Sequence, residues 1–270
     1  MKGEEKRANK KDKSKIFLKN FKGQVTIFII IAIIIVALAI LLYIFLSKPK
    51  TDIIPGTKNP PVYIQECMQE KIENTVDILS LQGGSVNPEG YYIYENNKVE
   101  YLCYINEYYR PCVVQQPMLT QHIQKEILNE IEDETVSCFD SMKDNYEQKG
   151  YEVSMKTGNT TVELLPNKII TTFGYEVVLI KGETEKYQNF RIALNNDLYK
   201  LASIANSIIQ WETLYGDAET TIYMDYYHDL KVNKQKQIEG TTIYILTDIN
   251  NDKIFQFASR SYAFPPGILI

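Results

Sequence analysis

Residues that carry chemistry are scarce in this chain. It holds two histidines, one tryptophan and four cysteines in 270 residues. There is no GxGxxG, no phosphate-binding loop and no HExxH, so neither a dinucleotide site nor a zinc-peptidase helix is legible. The four cysteines contain no CxxC, and His122 is the one imidazole near them, which makes a poor zinc set. His122 falls one position off the apolar stripe of a predicted helix and reads as a surface or boundary residue. His228 lies in MDYYHD between Asp225 and Asp229. A carboxylate–imidazole pair is possible there, but no Ser or Cys nucleophile is placed beside it, so a loop or strand-start role fits better. Asp248-Ile249-Asn250-Asn251-Asp252 begins like a calcium loop, yet Lys253 stands where that loop needs Gly and Ser259 where it needs Glu. A polar hairpin turn explains it. No cofactor is implied, no catalytic residue stands out, and no internal repeat is found.

What the chain does have is a long greasy run. Val25 to Leu46, VTIFIIIAIIIVALAILLYIFL, is twenty-two residues without a charge, Pro or Gly. As a helix it would rise about 33 Å, enough to cross a hydrocarbon core of about 30 Å. It is longer than a secretory h-region of about 7–15 residues, no small-residue cleavage site follows it, and no polar stripe interrupts it. The expectation is a single-pass transmembrane helix in the lipid bilayer, acting as a signal anchor.

Charge sets its orientation. Residues 1–23 carry nine Lys and Arg against Glu4, Glu5 and Asp12, a net +6; the whole chain is −5, which leaves −11 for the rest. Basic residues beside a span stay cytoplasmic. The expected layout is a basic cytoplasmic leader over 1–24, the span over 25–46, a Pro-rich linker over 47–61 and an extracytoplasmic domain over 62–270, with a sub-boundary near Gly150. The acidic ectodomain would repel phosphates, which argues against nucleic acid as a partner.

The linker SKPKTDIIPGTKNPP is extended because Pro lacks an amide donor and restrains the residue before it. Beyond it, spacing predicts a helix from Pro61 to about Leu81, with Ile64, Met68, Ile72, Val76 and Leu79 on one side and Gly83-Gly84 as its stop. A hairpin follows: YYIYE (91–95), an Asn96-Asn97 turn, then KVEYLCYI (98–105). A long helix over about Met118–Gln148 carries the stripe Leu119, Ile123, Ile127, Ile131, Thr135, Cys138, Met142 and Tyr146. From Tyr151 to Asn195 the period changes to two, giving four or five antiparallel strands separated by Gly, Asn and Pro. Asp197 is placed to cap a helix to about Leu214, with Leu201, Ile204, Ile208, Trp211 and Tyr215 on one side. HDLKVNKQKQI, TTIYILTD and KIFQFASRSYAF return to strand. About three helices and eight strands, set apart from one another, make an α+β fold with antiparallel sheet.

Cys67, Cys103, Cys112 and Cys138 all lie beyond the apolar run, and an even count outside the cytoplasm favours disulfides. Four cysteines allow three connectivities. Cys103 and Cys112 bracket a short loop, and Cys67 and Cys138 sit on or beside helix stripes that could meet, so 67–138 with 103–112 is the expected set. Twenty tyrosines are many for this length. Tyr91, Tyr92, Tyr94, Tyr101, Tyr104, Tyr108 and Tyr109 gather around the first hairpin; their flat faces and hydroxyls suit contacts with glycans or cell-surface proteins, and equally an ordinary half-buried sheet. Asn159-Thr160-Thr161 is an N-glycosylation sequon in a turn.

Lys22-Gly23-Gln24 directly before the apolar run resembles the processing site of archaeal pilin-like and archaellin-like precursors. The resemblance implies cleavage after Gly23 by a prepilin-type peptidase, with Gln24 as the first mature residue. The leader is long and Phe28 replaces the Glu of bacterial pilins, while the Pro-rich linker departs from subunits whose anchor runs straight into the head. More broadly, KGQVTIFII, ECMQE, LSLQGG and FQFASRS are similar to pieces of a recurrent kind of archaeal membrane-anchored protein. That likeness implies a location and no activity. Three readings result: a surface-displayed domain with a structural or interaction role, a processed pilin-like subunit, or a membrane-tethered hydrolase using carboxylates not visible in one dimension.

Overall fold

Two rows of apolar side chains at helical spacing create the centre of the domain. The computed structural model describes residues 29–38, 40 and 59–265. α1 (Pro60–Leu81) begins with Pro in its first turn, where the missing N–H costs nothing, and buries Ile64, Met68, Ile72, Val76 and Leu79. α2 (Leu119–Gln148) buries the whole stripe from Leu119 to Tyr146, with Phe139 added. Further on come α3 (Leu198–Tyr215) and the short α4 (Thr221–Tyr226). The described residues from 59 to 265 form one compact unit.

Among the described residues, ten strands build two sheets. β1 (Tyr91–Tyr94), β2 (Asn97–Tyr104), β3 (Val113–Val114), β8 (Leu230–Lys236), β9 (Thr241–Asp248) and β10 (Ile254–Arg260) form the first, in the order β1-β2-β10-β9-β8 with β3 on β2. β4 (Glu152–Lys156), β5 (Thr160–Leu165), β6 (Lys168–Lys181) and β7 (Glu183–Asn195) form the second. There β6 pairs along its length with β7, while β5 and β4 share its other edge end to end. α1 packs on β7 and β10, and α2 on β4 and β5, so the helix pair touches both sheets. Around Phe139, the rings of Tyr175 (3.7 Å, stacked), Phe190 and Phe173 close the seam between α2 and the second sheet.

The structure corrects several expectations. Among the described residues no helix is long and apolar enough to cross a membrane. In the apolar run the described helical residues are 29–38 and 40. Their described Ile, Val and Leu side chains are exposed. The leader, Gly23, Gln24, the remainder of that run and the linker up to residue 58 lie outside the described residues. The sheets are not wholly antiparallel: β10 runs parallel to β2, with Ala258 opposite Tyr101 and Arg260 opposite Tyr104, and a bulge between Ala258 and Ser259. A fourth helix and two more strands appear than the residue pattern suggests. KIITTF and YEVVLI are one strand, β6, because Gly174 does not end it but allows a bulge. A Cβ there would stand 2.5 Å from the Asn159 carbonyl oxygen, so only Gly admits the neighbouring chain so closely.

Two helix details also differ. Trp211 and Tyr215 are exposed, and the buried row of α3 runs instead through Leu201, Ala205, Ile208 and Glu212. Glu212 is 2% exposed. It accepts from Tyr244 Oη, the Ala218 amide (3.0 Å) and Ser259 Oγ (3.0 Å), and its main-chain carbonyl accepts from Ser261 Oγ (3.0 Å). A buried carboxylate is tolerable when several donors converge on it. The first amide of α3, Leu198, is capped by Asn196 Oδ1 (2.8 Å), while the Asp197 carboxylate meets Asn251.

Cys67 joins Cys138 between α1 and α2, and Cys103 joins Cys112 across the loop after β2, separations of 71 and 9 residues. The chain-entropy relation assigns about 4 kcal/mol to the long closure and about 3 kcal/mol to the short one. C67S/C138S is therefore expected to lower the unfolding free energy more than C103S/C112S. Urea titration of the three proteins checks the order.

Candidate binding cleft

The cleft is assembled where α1 stops. Gly84 returns its amide to the Leu79 carbonyl (2.8 Å), and Gln82 Nε2 donates to the carbonyls of Val86 (2.7 Å) and Ser85 (3.3 Å). This clamp delivers Ser85 to a point between β2 and α2. There Ser85 Oγ donates to Glu100 Oε2 (2.6 Å) and lies 2.8 Å from His122 Nε2. Glu100 Oε1 accepts from Gln116 Nε2 (3.3 Å), and Glu126, one turn along α2 from His122, accepts from the Val86 amide (2.9 Å). Tyr91, Tyr101, Tyr104, Glu239 and Arg260 join them in lining a cavity of about 1020 Å³.

Arg260 is 8% exposed. Its Nε donates to the Glu239 carbonyl (3.2 Å), its Nη1 to the Ile105 carbonyl, and its guanidinium lies 6.0 Å from the Tyr104 ring and 5.5 Å from that of Tyr108. No carboxylate among the described residues pairs with it. Fully buried side-chain polar atoms all have partners among the described residues, so Nη2, for which none is found, is not sealed from water, and Arg260 is among the residues that line the cleft.

Burial sets the protonation preferences. It raises the Glu100 carboxyl, against the hydrogen bonds from Ser85 and Gln116, and the nearby Glu126 charge raises it further. Burial likewise lowers His122, with Lys125 adding to that and Glu126 opposing it. Ser85 is 4% exposed, and its hydroxyl sits between Glu100 and His122. With Glu100 ionised, Ser85 donates to it and takes a hydrogen bond from His122 Nε2; with Glu100 protonated, the carboxyl donates and the serine proton turns to His122.

The tyrosine group is divided by the sheet. Tyr91, Tyr101 and Tyr104 line the cleft. Tyr92 and Tyr94 join Tyr101 and Ile245 in covering Val99, Ile243 and Ala258 on the outer face of the first sheet. Tyr108 and Tyr109 are exposed on the following loop, where Tyr109 meets Phe264 edge-on (5.4 Å). Asn159 is exposed beside the bulge of β6. The 248–253 segment is a hairpin turn: Asp248 accepts from the Asn250 amide (2.9 Å) and from Lys200 Nζ (2.9 Å), which also reaches Asp229 (2.6 Å). Burial opposes the Lys200 charge, but these two carboxylates outweigh it and raise its pKa. The one group of three potential metal ligands among the described residues, Cys67, Glu134 and Cys138, includes both sulfurs of a disulfide. Sequence reasoning left Ser85, Glu100, Gln116, Glu126 and Arg260 unmarked, since they come together only in three dimensions.

No protein-family model, curated protein or solved structure matches the chain.

The two opposed shifts predict a pH signature. His122 is lowered in the fold, so its contribution is complete above its ordinary value of about 6.5 and is lost as pH falls below it. Glu100 is raised, so its effect has the other sign: stability declines as pH climbs past the ordinary carboxylate range. H122Q should flatten the loss of stability on acidification below pH 6.5. E100Q should flatten the decline above the carboxylate range. Urea midpoints across pH 4.5–8 for both variants check this.

Proposed function

We propose that residues 62–270 form a disulfide-tied domain displayed outside the cytoplasm, which binds a partner through the Ser85–Glu100–Tyr101–Arg260 cleft. The arrangement that carries this reading is the cleft itself, with its aromatic walls and convergent donors and acceptors. Two disulfides with no free cysteine among the described residues support an oxidising location. An exposed sequon at Asn159 is compatible with it.

Protease added to intact cells should remove the domain. Survival of the domain, together with thiols that label without reductant, overturns the location. Purified full-length protein should bind isolated cell envelope, and Y104A should reduce that binding at least about tenfold; equal binding by wild type and variant overturns the cleft. Leader removal after Gly23 is a separable proposal supported by Lys22-Gly23-Gln24. N-terminal sequencing should begin at Gln24, and a start at Met1 or Lys2 overturns it.

A further inference from the structure

We infer that the cleft takes an uncharged, polyhydroxylated ligand: a segment of neutral glycan. This inference rests on the cleft reading above and adds the chemistry of the occupant.

Charge discriminates first. Glu89, Glu100, Glu126 and Glu239 border the cavity, and Arg260 is the one guanidinium on it. An acidic sugar, a phosphate or a peptide carboxylate would meet a field of its own sign and would be repelled. Hydrogen-bond type discriminates second. A cationic peptide side chain brings donors and no acceptor, so it would leave Arg260 Nη2 facing it without a partner, at the cost of an unsatisfied charged donor. A sugar hydroxyl both donates and accepts. It can give to Glu126 or Glu239 and take from Arg260, and each need is met by the same chemical group.

Shape discriminates third. Tyr101 and Tyr104 meet edge-to-face at 4.9 Å, and Tyr104 is backed by the Arg260 guanidinium, which fixes the rings as rigid walls. Tyr101 Oη is anchored to Thr241 Oγ1 at 2.8 Å. Preformed aromatic walls offer apolar area at little cost in side-chain entropy, and they suit the C–H faces of pyranose rings. Pockets for small ligands run to about 300–1,000 Å³, so a cavity of about 1020 Å³ has room for more than one ring.

The full-length protein should be titrated with neutral trisaccharides built from glucose, galactose, mannose and N-acetylglucosamine, with a uronic-acid trisaccharide and a tetralysine peptide alongside, following ligand-observed NMR saturation transfer. The expected result is binding of at least one neutral trisaccharide, weakened at least about tenfold by Y104A and by R260K, with the other two probes unbound. Y91A tests the same wall at a 40% exposed position where folding is not at stake. Binding of the uronic acid or of tetralysine in place of every neutral sugar overturns the inference. Periodate treatment of cell envelope separates the two readings. If envelope binding survives periodate yet remains sensitive to Y104A, the cleft stands and the glycan does not; if wild type and Y104A bind alike throughout, both fall.

Discussion

The seam between α1 and α2 is the constraint on which the remainder depends. Ile64, Met68, Ile72, Val76 and Leu79 face the row from Leu119 to Tyr146, all nearly or fully buried. Each such side chain contributes about 1.5–3 kcal/mol when removed from water. The rim of the same seam carries the Lys71–Glu130 ion pair at 2.7 Å, with both side chains one-third exposed, and pairs of that kind contribute about 0–1 kcal/mol. Apolar burial therefore decides how the helices meet, and the Cys67–Cys138 bond holds that choice in the unfolded chain as well. Because α1 meets β7 and β10 while α2 meets β4 and β5, each sheet takes its position from this pair. The cleft inherits its geometry from the same source: Ser85 leaves the end of α1, and His122 and Glu126 stand on the first turns of α2.

A second centre lies at Glu212. A buried carboxylate supplied by neutral donors is a specifying device more than a stabilising one, since each donor has one place to be. Tyr244 comes from β9, Ser259 from β10, and Ala218 from the chain after α3. Ser261, which accepts from the Cys112 amide at 3.0 Å, adds the short disulfide loop to the same cluster. This explains why α3 buries an acid and exposes its tryptophan. The apolar-stripe rule assigns Trp211 and Tyr215 to the core and fails there, because three-dimensional hydrogen bonding outweighs side-chain hydrophobicity at one position.

The helices were legible because their apolar residues repeat at three and four over many turns; every member of the α1 and α2 rows is where spacing places it. Both disulfide pairs were legible because the cysteines lay on facing stripes or bracketed a short loop. The parallel β2–β10 pairing was not, since alternation within a strand carries no information about its neighbour's direction. The cleft was hidden for a similar reason. Ser85, Glu100 and His122 are separated by 15 and 37 residues in pairs that share no motif, and His122 looks like a boundary residue until Ser85 is placed beside it. The tyrosines were visible as a group, but their division was not: Tyr91 and Tyr104 line the cleft, Tyr92 and Tyr94 cover the small outer cluster, and Tyr101 serves both.

β10 has the last place in the chain among the strands and an inner place in its sheet, between β2 and β9. A ribosome or translocon that has delivered everything up to the β9 turn has produced a sheet in two unjoined halves, β1–β2 on one side and β8–β9 on the other. Only when Phe255, Phe257 and Arg260 arrive does the split close, and the guanidinium reaches the tyrosines in that same step. Completion is thereby written into the topology: a product that stops before β10 lacks both the wedge that completes the hydrophobic interior and the guanidinium that lines the cleft.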